Sequence, residues 1–293
     1  MLRVEKILCP VDFTEFSDRA YDYAYSLALH YEAKLFVLHV AEPLMKLYSG
    51  YLSSGAIEEI FANQANYAQE QIRNLIERRD RKGVTPELVL QRGAAADAIL
   101  GFAASDSMDV IVMGTHGRRG FDRLVLGSVT ERVLRKSTAP VLAVHDPVRD
   151  FIDSADREQP VNIRRILFCT DFSDNSPRAL EYALSLGGQY QAEVTLLHVI
   201  EGSDGNADSN AHNEIVQRLE QAIPSEERRW STVNPAVRTW TAYEQILQHA
   251  NETKTGLIVM GVRGRNAIDL AVFGSTTYRV IQLGPCPVLT VRT

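Results

Sequence analysis

Cysteine is scarce in this sequence, and its three residues make no pattern. Cys9, Cys169 and Cys286 are an odd, widely separated set. Such spacing excludes a disulfide framework and fits no zinc motif, so buried thiols in a reducing compartment are expected. No apolar run reaches the roughly 18 residues that a membrane span requires. The N-terminal stretch Met1-Leu2-Arg3-Val4-Glu5-Lys6 also lacks the apolar core of a secretory signal. A cytoplasmic location without membrane insertion follows as the expectation. Positive charge is in deficit as well, since the formal net charge is −6. No cluster of Lys and Arg stands out as a footprint for DNA or RNA, and nucleic acid is set aside as a partner.

What is present is an ordered internal repeat. Asp12-Phe13 recurs as Asp171-Phe172, and Leu38-His39-Val40 as Leu197-His198-Val199, both displaced by 159 positions. Ile111-Val112-Met113-Gly114 recurs as Ile258-Val259-Met260-Gly261, Gly127-Ser128 as Gly274-Ser275, and Pro140-Val141-Leu142 as Pro287-Val288-Leu289. These last three are displaced by 147. The displacement falls from 159 to 147, so the second copy is 12 residues shorter between its His198 and Met260 segments. One fold is used twice. The chain divides into a first domain over 1–146, a linker over 147–162 rich in charge and proline, and a second domain over 163–293. About 145 residues per copy suffices for an independent core.

Within copy one, apolar strand-like runs alternate with helical periodicity. Strands are expected at 4–11, 34–40, 87–91, 110–113 and 141–144, and helices at 17–31, around 57–75, at 96–105 and after Gly127. Copy two repeats the order, with strands at 166–169, 194–199, 237–240, 257–260 and 288–291. Alternating strands and helices imply parallel strands joined by crossovers. Unbroken apolar strands imply a sheet covered on both faces. In such a sheet ligands bind at the carboxyl ends of the strands, where the strand order reverses.

The chemistry sits after the fourth strand of each copy. Gly114-Thr115-His116-Gly117 is followed by nine residues and then Gly127-Ser128. Gly261-Val262-Arg263-Gly264 is followed by nine and then Gly274-Ser275. Glycines without Cβ let backbone N–H groups approach phosphate oxygens. A helix that starts at Gly-Ser presents unpaired N–H groups and a positive dipole end to an anion. Arg118 and Arg265 stand at equivalent places to meet an outer phosphate. A purely structural reading competes, because Ser128 and Glu131 have the spacing of a capping box. Tyr278 replaces that Glu in copy two while Gly-Ser stays. His116 becomes Arg263 in copy two and so is not a required base.

This loop, with Pro10-Val11-Asp12-Phe13-Thr14, Leu38-His39-Val40 and Ala139-Pro140-Val141, resembles the universal stress protein family over nearly the whole chain. The glycine signature is similar to that of the family's ATP-binding branch. The resemblance implies two tandem copies of a five-stranded, parallel-sheet, Rossmann-like domain, of the adenine nucleotide alpha hydrolase-like type, with helices on both faces. It implies an ATP site in each copy, with ADP and AMP as alternatives and Mg²⁺ as a companion. In copy one the site would comprise Pro10, Asp12, Val40, Met113, Gly114, Gly117, Arg118, Gly127, Ser128 and Val129. In copy two it would comprise Asp171, Val199, Met260, Gly261, Gly264, Arg265, Gly274, Ser275 and Thr276. Cys169 stands where copy one has Pro10. Asp12 and Asp171 would meet adenine or ribose, or else only cap the following turn.

His39 and His198, inside apolar strands, fit satisfied core histidines better than catalytic ones. The connection 42–55 fits both a lid and a variable surface loop, and its counterpart 201–210 is polar. Three function classes remain. A nucleotide-dependent regulator in stress response agrees with the resemblance. An enzyme of a related fold would carry Ser-Gly-Gly, His-Ile-Gly-His or Lys-Met-Ser-Lys-Ser loops, which are absent, so at most slow ATP hydrolysis is expected. An adaptor with vestigial sites conflicts with two intact glycine loops. The closing strands 141–144 and 288–291 are expected to pair into an internal pseudo-dimer, and two such chains to form a homodimer with an unidentified protein partner.

Overall fold

A computed structural model describes residues 3–42, 54–78, 83–115, 126–145, 149–152, 161–174, 176–202, 209–225, 232–262 and 274–292. Copy one contains strands β1 (Lys6–Pro10), β2 (Lys34–Ala41), β3 (Glu87–Arg92), β4 (Val110–Gly114) and β5 (Val141–Val144). Its helices are α1 (Glu15–Tyr31), α2 (Ser54–Arg78), α3 (Ala95–Ser105) and α4 (Ser128–Lys136). Copy two repeats the order with β6 (Arg165–Cys169), α5 (Ser176–Tyr190), β7 (Glu193–Ile200), α6 (Ser209–Ala222) and β8 (Val233–Thr239). It ends with α7 (Ala242–Glu252), β9 (Leu257–Val262), α8 (Ser275–Leu283) and β10 (Val288–Arg292).

The strands form one ten-stranded sheet in the order β3-β2-β1-β4-β5-β10-β9-β6-β7-β8. Every ladder is parallel except β5 against β10, where Val141, Leu142 and Ala143 face Thr290, Leu289 and Val288. The expected pairing of the closing strands is therefore present, and it fuses two parallel sheets into one. Helices lie on both faces. On one face α1, α2, α5 and α6 cover Ile7, Cys9, Val37, Phe168, Val194 and Val259. On the other, α3, α4, α7 and α8 cover Leu8, Leu38, Ile111, Met113, Cys169 and Met260. Alternation of side chains along each strand sends neighbours to opposite faces. Both clusters cross the junction without a break, so the two copies share their cores.

Local signals account for the elements. Thr14 caps α1 by accepting from the Ser17 N–H, while the Ser17 hydroxyl accepts from the Thr14 N–H at 3.2 Å, a reciprocal capping box. Positive-φ residues repeat between copies at matched positions: Phe13 and Phe172, Glu32 and Gln191, Ser107 and Lys254. The backbone path is conserved even where the side chain is not. The sequence placed the third strand of copy two at 237–240. It begins at Val233 instead and stops before Trp240. Pro235 obscured that start, and proline is tolerated there because β8 is an edge strand.

The described part of the linker belongs to the core rather than to solvent. Phe151 and Val161 are buried, and Ile152 bridges to Val161. Arg149 donates to the Thr255 and Ala250 carbonyls at 3.1 and 2.9 Å. Asp150 accepts from Arg19 and from the Tyr23 hydroxyl. Across the junction, the Tyr190 hydroxyl donates to Tyr31 at 3.1 Å, Tyr31 donates to Gln189 at 2.8 Å, and His30 stacks on Tyr190. His145 Nε2 lies 2.5 Å from the Gly284 carbonyl. The three cysteines are buried and unpaired by disulfides, and burial pushes each thiol pKa upward.

Two predictions follow from the packing. Val141 is 1% exposed at the β5–β10 seam. Val141→Asp would bury an unpaired carboxylate and is expected to cost about 3 kcal/mol or more, read as a lower urea midpoint. Burial lowers the pKa of both His30 and His249 from 6.5. The unfolded chain then binds more protons below pH about 6.5, so stability falls as the pH drops through that value. Thermal melts between pH 8 and 5 check the sign. His30→Phe retains a ring on Tyr190 and is expected to lessen the slope.

Candidate functional site

The strand order reverses at β1/β4 in copy one and at β6/β9 in copy two. A crevice beyond the carboxyl ends of those strands is where ligands bind in sheets of this topology. Sequence-selected residues from four segments converge there in each copy. Pro10 ends β1 and Asp12 follows it, Val40 lies on β2, Met113 and Gly114 end β4, and Gly127, Ser128 and Val129 start α4. In copy two Asp171 follows β6, Val199 lies on β7, Met260 and Gly261 lie on β9, and Gly274, Ser275 and Thr276 start α8. Val40, Met113, Val199 and Met260 all pack on the sheet face covered by α3, α4, α7 and α8. Gly117, Arg118, Gly264 and Arg265, with His116 and Arg263, lie outside the described residues, as does most of the connection 42–55.

The two helix starts carry the most informative geometry. Gly127 and Gly274 are the N-caps of α4 and α8, and neither helix has a side-chain capping bond. The capping box proposed for Ser128 and Glu131 does not form. Ser128 is the first helical residue, one place too late to cap, and Glu131 instead accepts from Arg135 at 3.3 Å. The N–H groups of the first helical turn have no intrahelical acceptor. Ser128 and Ser275 are exposed beside them. Among the described residues, both helices thus present the positive end of the dipole without a side-chain cap.

Gly114 has a structural reason to be glycine. A Cβ there would lie 2.8 Å from the Phe16 carbonyl oxygen at the start of α1. The loop stem is also fixed. Thr115 N–H donates to Val144, Gly127 N–H to Thr115, and the Thr130 hydroxyl to the Gly114 carbonyl, at 2.9, 2.8 and 2.8 Å. The donors offered to a ligand in this part of the loop therefore belong to the helix start rather than to Thr115 or Gly127.

Both aspartates hold their turns through Oδ1. Asp12 Oδ1 accepts from the Thr14 N–H at 3.2 Å and its hydroxyl at 2.6 Å. Asp171 Oδ1 accepts from the Ser173 N–H at 2.9 Å. His39 and His198 are half-buried on β2 and β7 rather than in the core. Nδ1 of each lies 2.9 Å from a carbonyl oxygen, that of Val11 or Thr170. A carbonyl only accepts, so Nδ1 carries the proton. Each ring also supports the phenylalanine that follows the aspartate, with centroids 4.6 Å apart for Phe13 and 4.7 Å for Phe172.

Sequence reading passed over one bridge between the copies. Leu126 N–H, just before Gly127, donates to the Tyr278 hydroxyl at 3.3 Å. Tyr278 is the residue that replaces Glu131, and that substitution was the visible signal. The copies also differ at the mouth of the site. Tyr67 meets the Phe13 ring edge-on at 6.3 Å, whereas the Arg218 guanidinium lies 4.0 Å over the Phe172 ring. Among the described residues no three His, Cys, Asp or Glu side chains come together as a metal centre, and no helix is long and apolar enough to cross a membrane.

The glycines separate packing from binding. Gly114→Ala is expected to lower stability by about 1–3 kcal/mol, since α1 must shift to admit the methyl group. Gly274→Ala meets only Thr277 Oγ1 at 3.7 Å and is expected to cost less than about 1 kcal/mol. Denaturant midpoints of the two variants check the contrast.

The chain was compared with known proteins. It is 24% identical over 295 residues to a universal stress protein of Mycolicibacterium smegmatis, covering 98% of this chain and 96% of that one. It is 30% identical over 146 residues to Universal stress protein MJ0531 of Methanocaldococcus jannaschii, covering 50% of this chain and 85% of the relative. The crystal structure of a universal stress protein from Archaeoglobus fulgidus superposes with a TM-score of 0.72 at 25% identity, covering 98% of this chain and 96% of that chain. The pattern of the universal stress protein family matches residues 3–145 and again 162–292. The chain belongs to the universal stress protein family, as a tandem member with one family domain in each half.

Proposed function

We propose that each copy binds an adenine nucleotide, ATP foremost, and that the chain is a nucleotide-dependent regulator in stress response rather than an enzyme. The observation that carries this reading is the pair of helix starts at Gly127-Ser128 and Gly274-Ser275, uncapped in both copies at the reversal point of the sheet. Backbone N–H groups of Ser128 and Val129, and of Ser275 and Thr276, would meet phosphate oxygens. The serine hydroxyls would add donors. Arg118 and Arg265 would approach the outer phosphates, and Gly117 and Gly264 would leave the backbone clear. Pro10, Asp12, Val40 and Met113 would line the base end in copy one, and Asp171, Val199 and Met260 in copy two. Mg²⁺, where it accompanies the nucleotide, would be held chiefly by phosphate oxygens and water.

The non-enzyme reading is supported by the sequence, which lacks the Ser-Gly-Gly, His-Ile-Gly-His and Lys-Met-Ser-Lys-Ser loops of related enzymes. His39 and His198 spend Nδ1 on backbone carbonyls, and the aspartates spend Oδ1 on their own turns. A homodimer in the cytoplasm belongs to the same reading. Edge strand β3, which pairs among the described residues only with β2, carries the exposed Leu88, and open sheet edges invite pairing.

The test is nucleotide content and stoichiometry. Mass spectrometry of the denatured supernatant, followed by calorimetric titration with ATP, is expected to give two adenine nucleotides per chain and turnover far below the ordinary enzymatic range. One nucleotide per chain would mark copy two as specialised. None at all would favour an adaptor with vestigial loops.

A further inference from the structure

The copies repeat their backbone closely enough that one mismatch stands out. Gly93 and Trp240 follow the third strand of their copies at matched positions, displaced by 147. Both take positive φ, +133° for Gly93 and +114° for Trp240. Their N–H groups make equivalent bonds, to the Ala41 carbonyl at 3.2 Å and the Ile200 carbonyl at 3.1 Å. The fold therefore demands a left-handed residue here, and glycine meets the demand without strain. A tryptophan does not. It also recovers little packing, because it is 54% exposed. Strained non-glycine residues that persist cluster at functional sites.

The position adjoins the base end of the copy-two site. Val199 and Ile200 on β7 pair with Arg238 and Thr239 on β8, and Trp240 comes next. A strand spacing of about 4.8 Å and a rise of about 3.3 Å per residue put its Cα roughly 8 Å from that of Val199, within reach of an indole. Trp240 lies just before α7, whose Ile246 and Ala250 pack on the same sheet face as Val199 and Met260. The first N–H of α7 is already taken, since Ala242 donates to Glu201 Oε1 at 3.1 Å. This corner thus offers an aromatic plane rather than an anion site.

We infer that Trp240 is a base-stacking residue of the copy-two nucleotide site, one that copy one lacks. The inference rests on the nucleotide reading above. Stacking accepts any base plane, so it strengthens binding where Cys169 replaces Pro10. The two sites then differ in what holds the base.

The chain has two tryptophans, so Trp230→Phe leaves Trp240 as the sole indole reporter. Titrating that variant with ATP is expected to quench its fluorescence, and inorganic tripolyphosphate, which has no base, is expected to leave it unchanged. Trp240→Gly is expected to raise Tm by roughly 2–4 °C, because it relieves the backbone. By calorimetry it should weaken one of two ATP sites by about 10-fold or more. A variant that is both more stable and a weaker binder cannot owe its loss to misfolding. Two ATP sites of unchanged affinity in Trp240→Gly, without quenching in the reporter, would overturn this inference alone and assign the exposed indole to another partner. Absence of ATP binding in the unmodified chain would overturn the nucleotide reading and this inference with it.

Discussion

The antiparallel pairing of β5 with β10 is the constraint on which the rest of the molecule depends. Each copy by itself would be a five-stranded parallel sheet ending in an apolar strand with one open edge. Val141, Leu142, Ala143, Val288 and Leu289 are all buried at that edge, and no face of either copy could cover them alone. Joining the two edges satisfies the backbone groups of both strands and lets the helical layers meet on either side. Thr290 adds a hydroxyl bond to the Val141 carbonyl at 3.2 Å. The linker, the Tyr31–Tyr190 bond and the His145–Gly284 contact all span the seam that this ladder creates.

The same pairing governs the sites. It sets α4 and α8 side by side on one face, so that Tyr278 of the second copy reaches the backbone next to the first copy's glycine-serine start. A chain in which the copies merely followed one another on a flexible tether would hold two independent sites. Here they share a sheet, a core and a hydrogen bond. They diverge in Pro10 against Cys169, in Tyr67 against Arg218 near the following phenylalanine, in Gly93 against Trp240, and at the helix starts in Val129 against Thr276 and Glu131 against Tyr278. Gly-Ser at the two helix starts is retained.

Much of this was legible in the sequence because parallel strands buried on both faces read as apolar runs, and because the repeat let each copy check the other. The strand at 141–144 is found where its apolar run ended, and the starts of α4 and α8 lie at Gly-Ser. The third strand of copy two was misread because Pro235 and Trp240 break the local pattern from opposite ends. The edge position tolerates the first and the left-handed turn accommodates the second, and neither context is local. The capping box failed for a similar reason. Ser-x-x-Glu has the right spacing, but the loop stem fixed by Thr115 and Thr130 makes Gly127 the cap.

The sequence by itself determined the duplication, the parallel α/β class, the family and the two glycine loops, because these depend on periodicity and on residue types at fixed spacing. Tertiary structure alone decided four things. Gly114 is required by the approach of Phe16. Asp12 and Asp171 hold their turns through Oδ1. His39 and His198 each donate Nδ1–H to the carbonyl of a neighbouring loop. Trp240 occupies a backbone position that its own copy would fill more easily with glycine. Each is a contact between segments distant in the chain or a dihedral imposed by them, and such terms leave no period in the sequence to read.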